Sequence, residues 1–230
     1  MEDNCVNCGL FVASNSDPRL RALVTFDGDK VGNAAQAGGV EAKAVGSVAF
    51  GAGVVGRALK LDGDAANYVD LGAMNVGGKE FTMAAFAKFA SFANDPRILS
   101  KAAGAASADH TWMLSSDCVP DDGDCFPRVR LRVGSNVAQL IGADKLSANK
   151  WHHIAATYDG AVLKLFLDGK ITKSMNAAGA VQTNAQAANI GRNPVGGRPF
   201  TGMIDDVRIY AATLTDSEIA GMAAQLSGRK

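Results

Sequence analysis

The clearest alternation of apolar and polar positions lies in residues 151–170. Ile154, Ala156 and Tyr158 share one face of an incoming run, and Leu163, Leu165 and Leu167 share one face of the run that follows. A period of two with a single apolar face predicts half-buried antiparallel strands. Asp159-Gly160 separates the runs, and an Asp-Gly pair suits a tight hairpin turn with positive φ at both central residues. Asp168-Gly169 predicts a second such turn into residues 171–175, giving three strands in meander order. Lys164 and Phe166 fall on the opposite face from the leucines and are expected to look away from the core.

Weaker alternation marks further strands along the chain. Residues 20–26 form the first, closed by Asp27-Gly28-Asp29. A weak strand is expected near residues 45–50, and residues 59–61 and 68–71 frame another Gly-Asp turn. Residues 81–89 set Phe81, Met83 and Ala85 against Thr82, Ala84 and Phe86. Residues 97–100 and 111–115 follow. Residues 128–133 then place Val129, Leu131 and Val133 inward and Arg128, Arg130 and Arg132 outward. Residues 188–190 and 202–210 close the series. About a dozen short strands at regular spacing predict an all-β antiparallel sandwich. One short helical turn is expected near the C-terminus. Thr215 and Glu218 have capping-box spacing, and Ile219, Met222 and Leu226 follow at helical intervals. Residues 1–19 read as a tail or edge segment, and residues 20–230 as one domain without a break in composition.

Three stretches carry a resemblance. Trp-His-His-Ile-Ala-Ala-Thr-Tyr-Asp-Gly from residue 151, with Leu-Lys-Leu-Phe-Leu-Asp-Gly from residue 163, resembles the central signature of the laminin-G-like, concanavalin A-like jelly-roll family. Residues 56–71 resemble that family's early strand, and residues 202–219 its closing strand and terminal turn. The resemblance implies a jelly roll of the kind found in carbohydrate-binding and adhesion modules, and also in glycan hydrolases and lyases. It does not select a ligand, because one fold hosts many functions. It also implies a structural calcium ion near the first and closing strands, at Asp27 and Asp206. Residues 33–39, Asn-Ala-Ala-Gln-Ala-Gly-Gly, depart from the family's Asp-x-Ser-Gly pattern at this point.

Composition narrows the function classes. The 23 basic residues balance the 23 acidic ones, with no basic stripe of the kind a nucleic-acid groove needs. No apolar run approaches the roughly 18 residues that suggest a membrane span. The four cysteines form two close pairs. Cys118 and Cys125 flank a short polar loop and are expected to form a disulfide. Cys5 and Cys8 precede the first strand, where a terminal disulfide or a loose tail is expected. Disulfides would place the protein in an oxidising compartment, secreted or at the cell surface.

Candidate chemistry is sparse. Residues 51–56, Gly-Ala-Gly-Val-Val-Gly, match a dinucleotide fingerprint in spelling, but a strand rather than a helix is expected next, so no nucleotide cofactor is implied. A glycosidase needs two carboxyl groups across the scissile bond. The glutamates are Glu2, Glu41, Glu80 and Glu218, none paired on a strand, and Asp205 and Asp206 are adjacent and face opposite ways. His152 and His153 likewise diverge. No catalytic set is recognised. The expected function is a non-catalytic carbohydrate-binding or adhesion module for a glycan or cell-surface polysaccharide. It could belong to a longer chain with other domains. The alternatives are a glycan-cleaving enzyme on the same fold and a protein-interaction domain without a sugar site. The expected binding face carries Arg130, Arg132, Lys164 and Phe166, with Trp112 and Tyr68 at its rim.

Overall fold

The computed structural model describes residues 15–36, 40–119 and 123–228. Its first strands are β1 (Leu20–Thr25), β2 (Gly32–Asn33), β3 (Lys43–Val45), β4 (Ala49–Ala52), β5 (Arg57–Asp62) and β6 (Tyr68–Asp70). The middle of the chain forms β7 (Phe81–Ser91), β8 (Arg97–Ala102), β9 (His110–Cys118), β10 (Cys125–Val133) and β11 (Asn136–Ile141). The meander follows as β12 (Trp151–Tyr158), β13 (Val162–Leu167) and β14 (Lys170–Asn176). Then come β15 (Ala188–Ile190), β16 (Thr201–Tyr210) and the helix α1 (Asp216–Ala223).

These strands make two antiparallel sheets, the sandwich that the alternation predicts. Sheet A runs β14-β13-β12-β7-β16-β1-β2, with β5 also paired to β16 and β4 to β5. Sheet B runs β11-β10-β9-β8-β15-β6-β3. Inward residues of both sheets form one core, including Phe26, Leu59, Phe81, Phe89, Trp112, Leu131, Ile154, Leu165 and Ile204. Each such side chain contributes about 1.5–3 kcal/mol by leaving water.

The meander pairs in the predicted register, with Ile154 opposite Leu167 and Tyr158 opposite Leu163. Its two turns differ. Asp168 (φ 50°) and Gly169 (φ 82°) both take positive φ, as an Asp-Gly hairpin turn requires. At the first turn Gly160 alone does so, at 93°. Asp159 instead accepts the N–H groups of Ala161 and Val162 on its carboxylate, at 2.9 and 2.7 Å.

The outer face of sheet A is not left to solvent where Phe166 stands. A second apolar layer packs Leu20, Leu23, Ala84, Ala155, Phe166 and Tyr210 beneath Leu214, Ile219 and Met222 of the C-terminal segment. Ala155 and Ala84 are cross-strand partners, and their small side chains leave room for the layer above. The chain is steered there by Thr82, whose hydroxyl donates to the Ala212 carbonyl and accepts the N–H of Leu214. The predicted capping box forms: the Thr215 hydroxyl accepts the Glu218 N–H, and the Glu218 carboxylate accepts the Thr215 N–H at 2.7 Å. Phe166 is therefore fully buried, which corrects its expected exposure.

Cys118 and Cys125 are direct cross-strand partners and form the expected disulfide, with Cα atoms 4.0 Å apart. Cys5 and Cys8 lie outside the described residues. Among the described residues no helix is long and apolar enough to cross a membrane.

Candidate functional site

The expected binding face divides between two sheets. Arg130 and Arg132 point outward from β10 in sheet B, whereas Lys164 and Phe166 point outward from β13 in sheet A. The two pairs thus lie on opposite sides of the sandwich. Alternation tells inward from outward on each strand, but not which sheet the strand joins. Lys164 is tied to Asp216 at the start of α1, with Nζ to Oδ1 at 2.8 Å. Trp112 is fully buried in the core beside Phe81, which corrects its placement at a rim. Tyr68 is half-buried on the outer face of sheet B, and the Arg192 guanidinium lies 3.4 Å from its ring centroid. One ring face of Tyr68 is therefore already taken. Tyr68 and Arg130 do share the outer face of sheet B. Four strand steps separate β10 from β6, or about 19 Å.

Register assembles a denser set of groups on that face than alternation suggests. Ser115 pairs with Arg128 on one side and Arg97 on the other, so both arginines flank the same serine. Arg128 donates from Nε to the Ser115 hydroxyl at 3.0 Å and contacts Asp95 and Asp117. Arg97 also contacts Asp95. Arg130 donates from Nε to Oε1 of Gln139 at 2.7 Å, and its Nη1 lies 3.5 Å from Nδ1 of His110. Arg198 approaches Asp95 at 3.9 Å from the loop that follows β15. The guanidinium groups of Arg97, Arg128, Arg130 and Arg198 thus gather around the carboxylates of Asp95 and Asp117, while Arg132 on the same face donates to the Ala108 carbonyl.

Two connections roof this layer. Asn193 accepts from the Ser100 hydroxyl and donates to the Gly104 carbonyl, joining one loop to the other. His110 Nδ1 donates to Ala106 O at 2.9 Å, which leaves Nε2 as a buried acceptor without a partner. Arg97 Nε–H is likewise unmatched. Burial pulls the His110 imidazole down to about 4, helped by Arg130 and Arg97, so it is neutral at pH 7. Arg130 is only 8% exposed, so it is not the free surface group that its outward position implies. The open rim is formed by Gln139, Arg198 and the half-buried Arg132 and Asp117. Arg97, His110, Asp95 and Asp117 are not among the sequence candidates. The Arg-x-Arg-x-Arg alternation of residues 128–132 marks the face, but its partners arrive from other strands.

Asp205 serves the backbone instead. Asp205 is buried and accepts the N–H groups of Val54 (2.7 Å) and Val55 (3.0 Å) on Oδ2, and that of Asp206 on Oδ1. Burial pushes its carboxyl up to about 7 against these donors. This explains the glycines of residues 51–56. A Cβ at Gly53 would come within 2.4 Å of the Asp205 carboxylate, and Gly56 takes φ 54° against Asp27. The strand β5 follows, so no helix N-terminus stands ready for a pyrophosphate.

Asp206 lies at φ 47° in a bulge of β16 and is paired with Arg208 at 2.6 Å. Asp27 accepts the Arg57 N–H at 2.8 Å. Among the described residues no group of three or more His, Cys, Asp or Glu side chains is placed to hold a metal.

The adjacent histidines diverge as expected. His152 accepts the Ser147 N–H on Nε2, so its Nδ1 donates to Asp168 at 3.0 Å. His153 packs against Phe86 on the other face, with its ring centroid 4.9 Å from that of Phe86, and burial drives it down to about 3.

Comparison with known proteins places this architecture. Domain 4 of AbnA, an extracellular GH43 arabinanase from Geobacillus stearothermophilus solved in complex with arabinotriose, superposes with a TM-score of 0.69. It shares 22% identity, and the match covers 89% of this chain and 98% of that one. The binding domain of Paraclostridial Mosquitocidal Protein 1 also gives 0.69, at 14% identity over 89% of this chain and 52% of that one. A botulinum neurotoxin type C structure, described as dependent on two ganglioside molecules for cell entry, gives 0.63 at 12% identity, over 90% and 51%. A 93-residue stretch, 38% of the chain, is 30% identical to adhesion G-protein coupled receptor V1 of Danio rerio. It spans only 2% of that protein's length. Residues 61–220 match the laminin-G-type family model of the concanavalin A-like lectin/glucanases superfamily, and the chain belongs to that superfamily.

Proposed function

We propose that this protein is a non-catalytic glycan-binding module whose ligand is acidic and docks on the outer face of sheet B. The observation that carries the reading is the gathering of four guanidinium groups around two carboxylates on one sheet face, with Arg132 at its rim. The surplus positive charge favours a ligand with uronic, sialic or sulfate groups, and a guanidinium can donate paired hydrogen bonds to each. Asp95 and Asp117 serve as counter-ions to arginine, a role that competes with general-acid work. The solved relatives support the binding class. One is a domain in complex with arabinotriose, and another is a botulinum neurotoxin whose cell entry depends on two ganglioside molecules. Placement outside the cytosol follows from the same reading.

The test uses the rim, because Arg130 is packed and its removal would also cost stability. Arg132→Ala and Gln139→Ala should each weaken binding of an acidic oligosaccharide by about 1–3 kcal/mol, the scale of a charged hydrogen bond. Added salt should weaken the parent in the same direction. Unchanged affinity in both variants for a glycan that the parent binds would move the site off this face. A blank array of acidic and neutral glycans, with capture of a protein partner, would favour the protein-interaction alternative.

A further inference from the structure

Trp151 is an aromatic side chain left partly open on a sheet face, and the expected platform does not include it. It begins β12, and alternation from Ile154 and His152 turns it to the outer face of sheet A. Pairing places it in a row across four strands: Trp151 opposite Lys88, Lys88 opposite Met203, and Met203 opposite Lys60. Side chains so paired stand about 4.5–5.5 Å apart at Cβ. Leu59 and Leu61 turn into the core on either side of Lys60, as do Ala87 and Phe89 around Lys88, so both lysines face outward.

Two clefts border this row. One, of about 420 Å³, is lined by Trp151, Lys150, Asp168 and Leu226 with their neighbours. The other, of about 350 Å³, is lined by Lys60, Lys88, Asn149, Asp62 and Met203 among others. Both fall in the range of about 300–1,000 Å³ that small-molecule sites occupy. Lys60, Lys88 and Lys150 form no ion pair among the described residues. Asp168 is held rigidly by His152 and by the His153 N–H, one bond to each oxygen, and an ionised carboxylate has lone pairs to spare.

We infer a second saccharide site here, on the face opposite the arginine cluster, taking a short hydroxyl-rich oligosaccharide that stacks on Trp151 and bridges Lys88 and Asp168. The occupant follows from the mixture of groups. An indole offers an apolar plane to the C–H face of a sugar ring. Ammonium donors lie beside carboxylate and amide acceptors, and hydroxyls use both. A purely anionic ligand would meet Asp62 and Asp168, and a purely apolar one would strand the lysines.

Tryptophan emission reads this site directly, because Trp112 is fully buried and the chain has 2 tryptophans. Titration with arabinotriose, cellotriose and sialyllactose should give a saturable emission change with at least one of them at millimolar concentration. By calorimetry, Trp151→Ala and Lys88→Ala should each weaken that sugar by about tenfold or more. Trp151→Phe should retain most of the affinity, and Arg132→Ala should leave it unchanged. No saturable change with any of the three sugars overturns the inference. So does Trp151→Ala protein with parental circular dichroism and parental affinity. Loss with Arg132→Ala but not with Trp151→Ala leaves the sheet B reading standing and removes this site. Loss with Trp151→Ala alone supports this site and leaves the sheet B reading to its own test with acidic glycans.

Discussion

His153 and His110 are neutral imidazoles sealed inside the two outer layers, and each shapes the response to acid. Burial holds His153 near 3 and His110 near 4, against about 6.5 in an unfolded chain. Below pH 6.5 the unfolded state therefore takes up protons that the folded state refuses. Stability is fully present above pH 6.5 and falls toward pH 4 by about 1.4 kcal/mol per pH unit for each group. Urea unfolding at pH 7 and pH 5 should show a smaller loss in His153→Leu than in the parent. An equal loss would mean that His153 does not carry the difference. At this scale the sequence is legible in direction and not in exposure. Arg130 points outward as alternation demands, yet Gln139 and the loop above it shut it from solvent. Trp112 occupies an inward position of β9, a fact hidden because residues 110–116 are buried throughout and show no contrast between faces. Trp151 was within reach: extending the alternation of Ile154 and Ala156 back to residue 151 turns the indole outward.

The element that most changes the surface is α1. Its capping box is legible in Thr215 and Glu218, and the spacing of Ile219 and Met222 announces an apolar face. What that face covers is not legible, because the partner layer of Ala84, Ala155 and Phe166 comes from strands far away in the chain. Thr215→Ala removes the hydroxyl that accepts the Glu218 N–H and should destabilise the fold by about 0.5–2 kcal/mol, while Thr215→Ser should recover most of it. Denaturant midpoints measure both. Parental stability in Thr215→Ala would show that the contacts of Arg19 with Glu218 hold the helix start unaided. The turns tell the same story at shorter range. The two Asp-Gly pairs look equivalent in sequence, but one is a two-residue turn and the other uses its carboxylate as a strut.

At the scale of the whole molecule, the sandwich is legible because strand periodicity and turn residues repeat along most of its length. The assignment of each strand to sheet A or sheet B depends on long-range pairing, and that is why one expected face becomes two. The charges cancel over the chain but not over its surface. The outer face of sheet B collects arginines, whereas that of sheet A is closed by α1 at one end and opens on Trp151 at the other. The central claim is that the arginine face holds a glycan without cleaving it. Incubation of the protein with polyuronate, sialylated and sulfated glycans, reading retention and newly formed chain ends on the same samples, tests it most directly. The account predicts salt-sensitive retention of an acidic glycan that Arg132→Ala weakens, with no new chain ends over time. Accumulating cleavage products, or retention indifferent to both salt and Arg132→Ala, would contradict it.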